Sequence, residues 1–262
     1  MALDFNRKWY WPYVQKRDLA FTRPKLSTSN GGTVVEPETS RRPPGRPRRP
    51  ALSEELIGET ALALIDAHGW DRLTMTALAE ALGVRAPSLY HHISGQNEIV
   101  HLVRRQVVRK IADPSIAELP WESAAMRFGA AYYRAFEQHP QTIQVLSMTP
   151  IEDEETFAMY ETFLRVLKRA GFRATPAIDL LTGIENLALG FAFEHNASDQ
   201  MFAADKADSF GAPTFAEFIR EQTADGYVPA DAFETVLRRF VRMFLEEGDL
   251  AMAQVSSGQD PA

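Results

Sequence analysis

The sequence predicts an all-α protein: an N-terminal three-helix domain built on a helix-turn-helix, followed by a larger helical domain. Three observations carry this. From Leu52 to about residue 248 apolar residues recur at spacings of three, four and seven, and no run alternates with period two long enough to argue a sheet. Pro140, Pro150, Gly171, Pro176, Pro213 and Pro229 cut that length into helix-sized pieces. The segment Leu73 to Val103 holds two short helical patterns on either side of Gly83.

Residues 1–50 show no periodicity that could bury a side chain. They join an aromatic patch from Trp9 to Tyr13, a Ser/Thr/Gly stretch from Ser27 to Thr33, and a decade, Arg41 to Pro50, of five arginines, four prolines and one glycine. That composition reads as disordered. The domain of residues 51–112 follows. Ser53 is the N-cap of a first helix, Leu52 and Ile57 form a hydrophobic staple, and Leu56, Ile57, Thr60, Ala61, Leu64 and Ile65 make its inward stripe; Gly69 ends it. Thr74 caps a second helix that runs to Leu82, with Leu78, Ala81 and Leu82 inward. Pro87 suits the first turn of a third, from Ala86 to His92. Ser94 caps a fourth that reaches about Ala112, where Asp113-Pro114 stops it. In the domain of residues 113–250, amphipathic stretches lie at about 121–138, 141–147, 153–170, 175–197, 213–224 and 230–247, and residues 251–262 read as a disordered tail.

At 262 residues, 45% hydrophobic and 24% charged, the chain can build a sizeable core as one large or two modest domains. It has no cysteine, which excludes disulfides and thiolate metal sites. No apolar run reaches the roughly 18 to 20 residues that span a bilayer, and the first thirty residues lack a signal-peptide pattern. A cytoplasmic protein without membrane partners is therefore expected. The net charge of −7 is unevenly spread: +7 over residues 1–50, −1 over 51–112 and −13 over the rest. A basic tail before an acidic body fits a polyanion-binding arm, and it equally fits a solvated extension.

Two short helices about a glycine turn, with a third packed before them, are the plan of a helix-turn-helix, whose second helix enters the major groove of DNA. Ala79 is small where the helices close, Gly83 accepts the turn, and Val84 and Leu89 supply apolar anchors. The run Leu-Gly-Val-x-x-Pro-Ser-Leu-Tyr-x-His, Leu82 to His92, resembles the DNA-binding domain of the TetR family of bacterial transcriptional regulators, especially its tetracycline-repressor branch. The likeness covers some thirty contiguous residues, and the helical plan continues it to about residue 248.

The resemblance implies a homodimer on a palindromic operator in double-stranded DNA. The recognition helix would offer Ala86, Pro87, Ser88, Tyr90, His91 and His92. Ser88, Tyr90 and His92 suit phosphates, and Ala86 and Pro87 a thymine methyl. Family members often place arginine where Thr76 stands, glutamine where Ala86 stands and lysine where Gln96 stands, so this operator need not match the tetracycline one. His91 and His92 project about 100° apart on a helix and cannot chelate a metal as an i, i+4 pair would. A domain of charge −1 releases few counterions. Arg46, Arg48 and Arg49, in an Arg-Pro-Arg arm resembling those of many family members, would fill that gap by entering a narrow minor groove.

The larger domain lacks a phosphate loop, a nucleophile elbow and a paired-histidine helix, so an enzyme is not expected and no cofactor is called for. Glu194-His195 reads either as an acid/base pair or as an ordinary helix-end histidine. From the resemblance come a small-molecule pocket at Tyr133, Leu146, Tyr160, Phe163, Leu181 and Glu185, with Glu194 reaching across the dimer. A four-helix interface would use Leu180, Leu187 and Phe191 of the long helix with Phe233, Leu237, Phe240, Val241 and Phe244 of the last. Ala112 and Leu146 stand where tetracycline repressors carry histidines, which argues against a magnesium–tetracycline ligand. An apolar or aromatic effector fits better, with Glu185 selecting a cation or hydroxyl. The expected function is a repressor released by that effector. A same-fold activator or ligand-independent regulator is the alternative, and an all-α enzyme using Glu194 and His195 the more distant one.

Overall fold

A computed structural model describes residues 52–196 and 202–245. The expected basic arm, with Arg46, Arg48 and Arg49, and the expected C-terminal tail lie outside the described residues. Among the described residues every regular element is helical.

Helix α1 (Glu54–His68) begins where Ser53 Oγ accepts from Leu56 N–H at 3.2 Å and ends at Gly69, φ +78°. Its buried stripe is Ile57, Gly58, Ala61, Leu62 and Ile65, so Leu56, Thr60 and Leu64 flank the core rather than form it. The cause is a close crossing: a Cβ on Gly58 would lie 3.0 Å from the Leu102 carbonyl, which turns the Gly58/Leu62 side inward.

Helix α2 (Met75–Leu82) is capped by Thr74 Oγ1, which accepts from Ala77 N–H at 3.1 Å. Gly83 takes the left-handed conformation, φ +66°, and Val84 N–H closes the turn on Ala79 O at 3.0 Å. Helix α3 (Ala86–Leu89) is shorter than expected: from Tyr90 the chain tightens into a turn, with His92 N–H on Leu89 O, before Ile93 buries. Helix α4 (Gln96–Ile111) has Gly95, not Ser94, at its N-cap. Ser94 still contributes, because its N–H and hydroxyl donate to Glu98 at 2.5 and 2.8 Å, and these bonds hold the Glu98 carboxyl below its ordinary range.

The body comprises α5 (Trp121–Gln138), α6 (Ile143–Met148), α7 (Glu154–Arg169), α8 (Ala174–His195), α9 (Ala204–Ser209), α10 (Pro213–Ala224) and α11 (Pro229–Arg242). The α9 turn was not expected. Its six residues bury nothing, and it rests on α10 through the Arg220–Asp208 ion pair and an edge-to-face contact of Phe202 with Phe215.

Helix α5 sits at the centre, packed against α8, α4, α11 and α7. Phe128 stacks on Phe163 of α7 with ring centroids 4.6 Å apart. Leu237 of α11 fills a notch at Gly129, and the tip of the Phe240 ring abuts Gly183 of α8, where a Cβ would collide with it. Leu180, Phe233, Leu237 and Val241 are buried within one chain, so these four serve the internal core rather than a partner; Leu187, Phe191, Phe240 and Phe244 stay partly exposed. Helix α8, 22 residues long, holds an 18-residue stretch of mean hydropathy 1.2 and so is long and apolar enough to cross a bilayer, contrary to expectation. Within that stretch the apolar residues outweigh Asp179 and Glu185, which interrupt the run. Its Leu180, Leu181, Ile184, Ala188 and Ala192 are nevertheless spent on the protein core.

The core is continuous from α1 to α11 because α4 buries residues on both sides, against α1 and against α5, α6 and α7. Polar ties reinforce it. Arg109 pairs with Glu55 of α1 at 2.6 Å and with Glu155 of α7 at 3.0 Å. His139, after α5, places Nδ1 2.8 Å from Asp66 of α1 and Nε2 2.6 Å from Lys110 of α4.

Candidate nucleic-acid interface and ligand cavity

The candidate reading surface is built from α2 and α3. Leu78, Ala79, Leu89 and Ile93 anchor the pair on the core, and that fixes what faces outward. Thr76, Pro87, Tyr90, His91, His92 and Gln96 are exposed, and Ala86 and Ser88 are half-buried. Tyr90, a large side chain 58% exposed, has no packing role that accounts for its position. Arg85 was missed in the sequence, where it sits at an unspecified position of the motif. It precedes α3, is exposed, and forms no ion pair among the described residues. A guanidinium there can address guanine bidentately, which none of the expected contacts on α2, α3 or the start of α4 can do.

A cavity of about 240 Å³ opens between α4, α5, α6, α7 and α8. Its apolar wall includes Val107, Val108, Ile111, Phe136, Leu146, Met159 and Leu189, and its polar wall Arg104, Tyr132, Tyr160, Glu185 and Asn186. Tyr160 donates to Glu185 Oε1 at 2.5 Å. Burial raises the Glu185 carboxyl above its ordinary range against the opposing effect of the tyrosine bonds, and burial followed by the Glu185 charge raises the hydroxyls of Tyr132 and Tyr160.

Arg104 is the second residue the sequence did not reveal. It is 4% exposed and donates to the carbonyls of Leu146 (2.9 Å), Thr149 (2.6 Å) and Pro150 (2.7 Å) at the end of α6. A cation at a helix C-terminus satisfies orphan carbonyls and complements the dipole. Burial lowers its pKa, and the Asp153 charge opposes that. Arg104 thus belongs to the fourth helix, to the cavity and to the carbonyl end of α6 together.

Residues 57–103 match the model of bacterial regulatory proteins of the tetR family, and residues 114–238 match the tetracyclin repressor-like C-terminal domain. The chain belongs to the TetR family. It is similar to an HTH-type transcriptional regulator of Saccharopolyspora erythraea, 28% identical over 215 residues covering 79% of this chain and 87% of that one. It is also similar to the HTH-type transcriptional repressor DrrR1 of Streptomyces coeruleorubidus, 26% identical over 74% of this chain and 72% of the other. Among solved structures, ActR of Streptomyces coelicolor in complex with actinorhodin shares the fold, with a TM-score of 0.60 at 20% identity over 75% of this chain and 96% of ActR. This TetR-family protein is a helix-turn-helix transcriptional regulator and not an enzyme.

In this TetR-family regulator, Leu146, Tyr160 and Glu185 line the cavity and four other expected pocket residues do not. Phe163 is fully buried in its stack with Phe128, and Leu181 packs in the core. Tyr133 lies in a different groove, between α5 and α11, stacked on Phe233 at 4.5 Å; burial, then the Glu137 charge, pushes its hydroxyl up to about 12. Glu194 stands near Tyr227 at the end of α8, and His195 turns to Glu137 at 3.2 Å rather than forming an acid/base pair with its neighbour. Helix phase removes Tyr133, about 100° round α5 from the lining Tyr132, whereas Phe163 and Leu181 share a face with Tyr160 and Glu185 one turn away, at a level filled by the core.

Proposed function

We propose that this regulator is a homodimeric repressor that binds a palindromic operator through α2 and α3, and that a small molecule in the α4–α8 cavity releases it. Residues 51–112 form the reading domain and residues 113–250 the effector and dimer domain. Residues 1–50 act as a DNA-contacting arm through Arg46, Arg48 and Arg49, and 251–262 as a tail. Such a protein works beside the chromosome, in the cytoplasm. Thr76, Ala86, Pro87, Ser88, Tyr90, His91, His92 and Gln96 face the DNA together with Arg85. Leu146, Tyr160 and Glu185 meet the effector.

The observation that carries the reading is the position of Arg104. The helix that supports the reading surface also walls the cavity, so filling the cavity acts on the helix that orients α3. If the filled state spaces the two reading helices away from successive major grooves, about 34 to 36 Å apart, effector and DNA oppose each other reciprocally. Support for a ligand comes by analogy with ActR, bound to actinorhodin on the same fold. Support for a dimer comes from the apolar side chains left exposed on α8 and at the end of α11: Ile178, Phe193, Met243 and Leu245.

Selection of binding sites from a random duplex pool tests this. An enriched inverted repeat, bound by a species of twice the chain mass and lost in Tyr90→Ala at unchanged mass, is expected. Enrichment of a single half-site by a monomer, or none at all, would refute it.

A further inference from the structure

Two charges line the effector cavity, and only one of them is balanced. Arg104 has the Asp153 carboxylate near it and three carbonyls of the α6 terminus on its guanidinium. Glu185, midway along α8, receives the Tyr160 hydroxyl, and no cation pairs with it among the described residues. Tyrosine hydroxyls supply dipoles but no opposite charge. A carboxylate held partly out of water is costly unless it meets a cation, and glutamine would fill the same space without that cost. The cavity is also lined by the rings of Tyr132, Phe136 and Tyr160, and aromatic faces attract cations. The volume, about 240 Å³, falls just below the range of roughly 300 to 1,000 Å³ usual for drug-sized ligands.

We propose that the effector is a compact aromatic amine, protonated at neutral pH, whose ammonium group pairs with Glu185 while its ring fills the apolar half of the cavity. The inference rests on the effector-cavity reading above and adds the charge of the ligand. An anion would set a second negative charge beside Glu185. A neutral alcohol would compete with Tyr160 for the carboxylate and leave the charge uncompensated.

Three probes of one shape separate these cases: 1-naphthylmethylamine, 1-naphthalenemethanol and 1-naphthoic acid, titrated calorimetrically into the full chain at neutral pH. The amine should bind at least tenfold more tightly than the other two. Glu185→Gln should bring it to within about threefold of the alcohol, and Leu189→Trp, which fills the cavity, should abolish its binding. Equal or tighter binding of the alcohol or the acid, an unchanged preference in Glu185→Gln, or no binding of any probe would overturn the inference. Binding blocked by Leu189→Trp without preference for charge sinks the amine alone. Amine binding that survives Leu189→Trp places the ligand elsewhere and sinks the effector-cavity reading with it. Thermal melts of both variants establish that they fold, and Tyr160→Phe, which removes a donor from the carboxylate, should retain or strengthen the amine preference; its loss would count against the ion pair.

Discussion

Replacing Arg104 with methionine separates what the guanidinium does from what the rest of α4 does. The side chain donates three hydrogen bonds of 2.6 to 2.9 Å to Leu146, Thr149 and Pro150. Bonds involving a charged group contribute about 1.5 to 3 kcal/mol each. Their sum overstates the loss, because the guanidinium is 4% exposed and its own desolvation already opposes the folded state. Removing one partner of a buried charged arrangement costs about 3 to 5 kcal/mol. Here the groups left behind are neutral carbonyls, two of them only part-buried, and methionine restores much of the apolar volume. The low end applies, about 3 kcal/mol, or a fall in Tm of roughly 6 to 12 °C for a protein of this size. Urea unfolding at one fixed protein concentration measures it, since a dimer's stability depends on concentration. A midpoint shift worth under about 1 kcal/mol at constant m would refute the reasoning and show that backbone packing alone holds α6 to α4.

Arg85→Ala should cost about 1 to 3 kcal/mol on a selected duplex and relax preference at one base pair; a loss uniform across sequences would reduce Arg85 to a phosphate contact. Gly183→Ala gains up to about 1 kcal/mol of helix propensity but drives a methyl into the Phe240 ring, at about 1 to 3 kcal/mol, so a net loss near 1 kcal/mol is expected by urea melts; a gain would mean that Phe240 swings aside freely. A side chain added at Gly190, exposed on α8, would meet nothing within 4 Å beyond its own helix backbone and chain neighbours, so Gly190→Trp should split a dimer built on that helix, as mass measurement would detect, without unfolding the subunit. The folded-state pKa of Glu185 is raised, so as pH climbs from the unfolded value near 4.5 through the folded one, the unfolded state loses its proton first and stability falls. Glu185→Gln should flatten that part of the urea midpoint against pH, and an identical slope in the variant would assign it to other groups.

The helices were legible wherever a cap or breaker coincided with a change of periodicity. Ser53, Thr74, Gly69 and Gly83 each terminate an element where a side-chain oxygen or a positive φ is required. The Leu82 to His92 run was legible for a different reason: buried anchors at Leu78, Leu89 and Ile93 leave the intervening residues no choice of face. The cavity was only half legible. Leu146, Tyr160 and Glu185 could be placed by family likeness, but Phe163 and Leu181 share the faces of Tyr160 and Glu185 one turn away, and only long-range packing such as the Phe128 stack assigns that level to the core. Arg104 carried no local signal at all. In sequence it is one of two adjacent arginines on an amphipathic helix; only the approach of α6, 42 to 46 residues away, makes it buried while Arg105 pairs with Glu54 at the surface. The α9 turn was invisible because it buries nothing.

For the proposed release to work, the cavity has to act on a contact that is strong, single and shared with the reading domain. The other ties between α1 and the body fail one of these conditions. Arg109 and the His139 bridge join α1 to the body, but neither touches the cavity, and the exposed Arg109 pairs are of the kind that contribute little. Arg104 meets all three. It lies on the helix that follows the reading surface, it lines the cavity, and the short α6 ends on its guanidinium while presenting Leu146, Ser147 and Thr149 to the same space. A ligand that displaces the end of α6 by enough to break one of those three bonds spends about 1.5 to 3 kcal/mol on α4. A change of 5- to 150-fold in operator affinity requires a coupling of about 1 to 3 kcal/mol. One hydrogen bond is therefore sufficient currency for the switch, and no larger rearrangement of the body is needed to account for it.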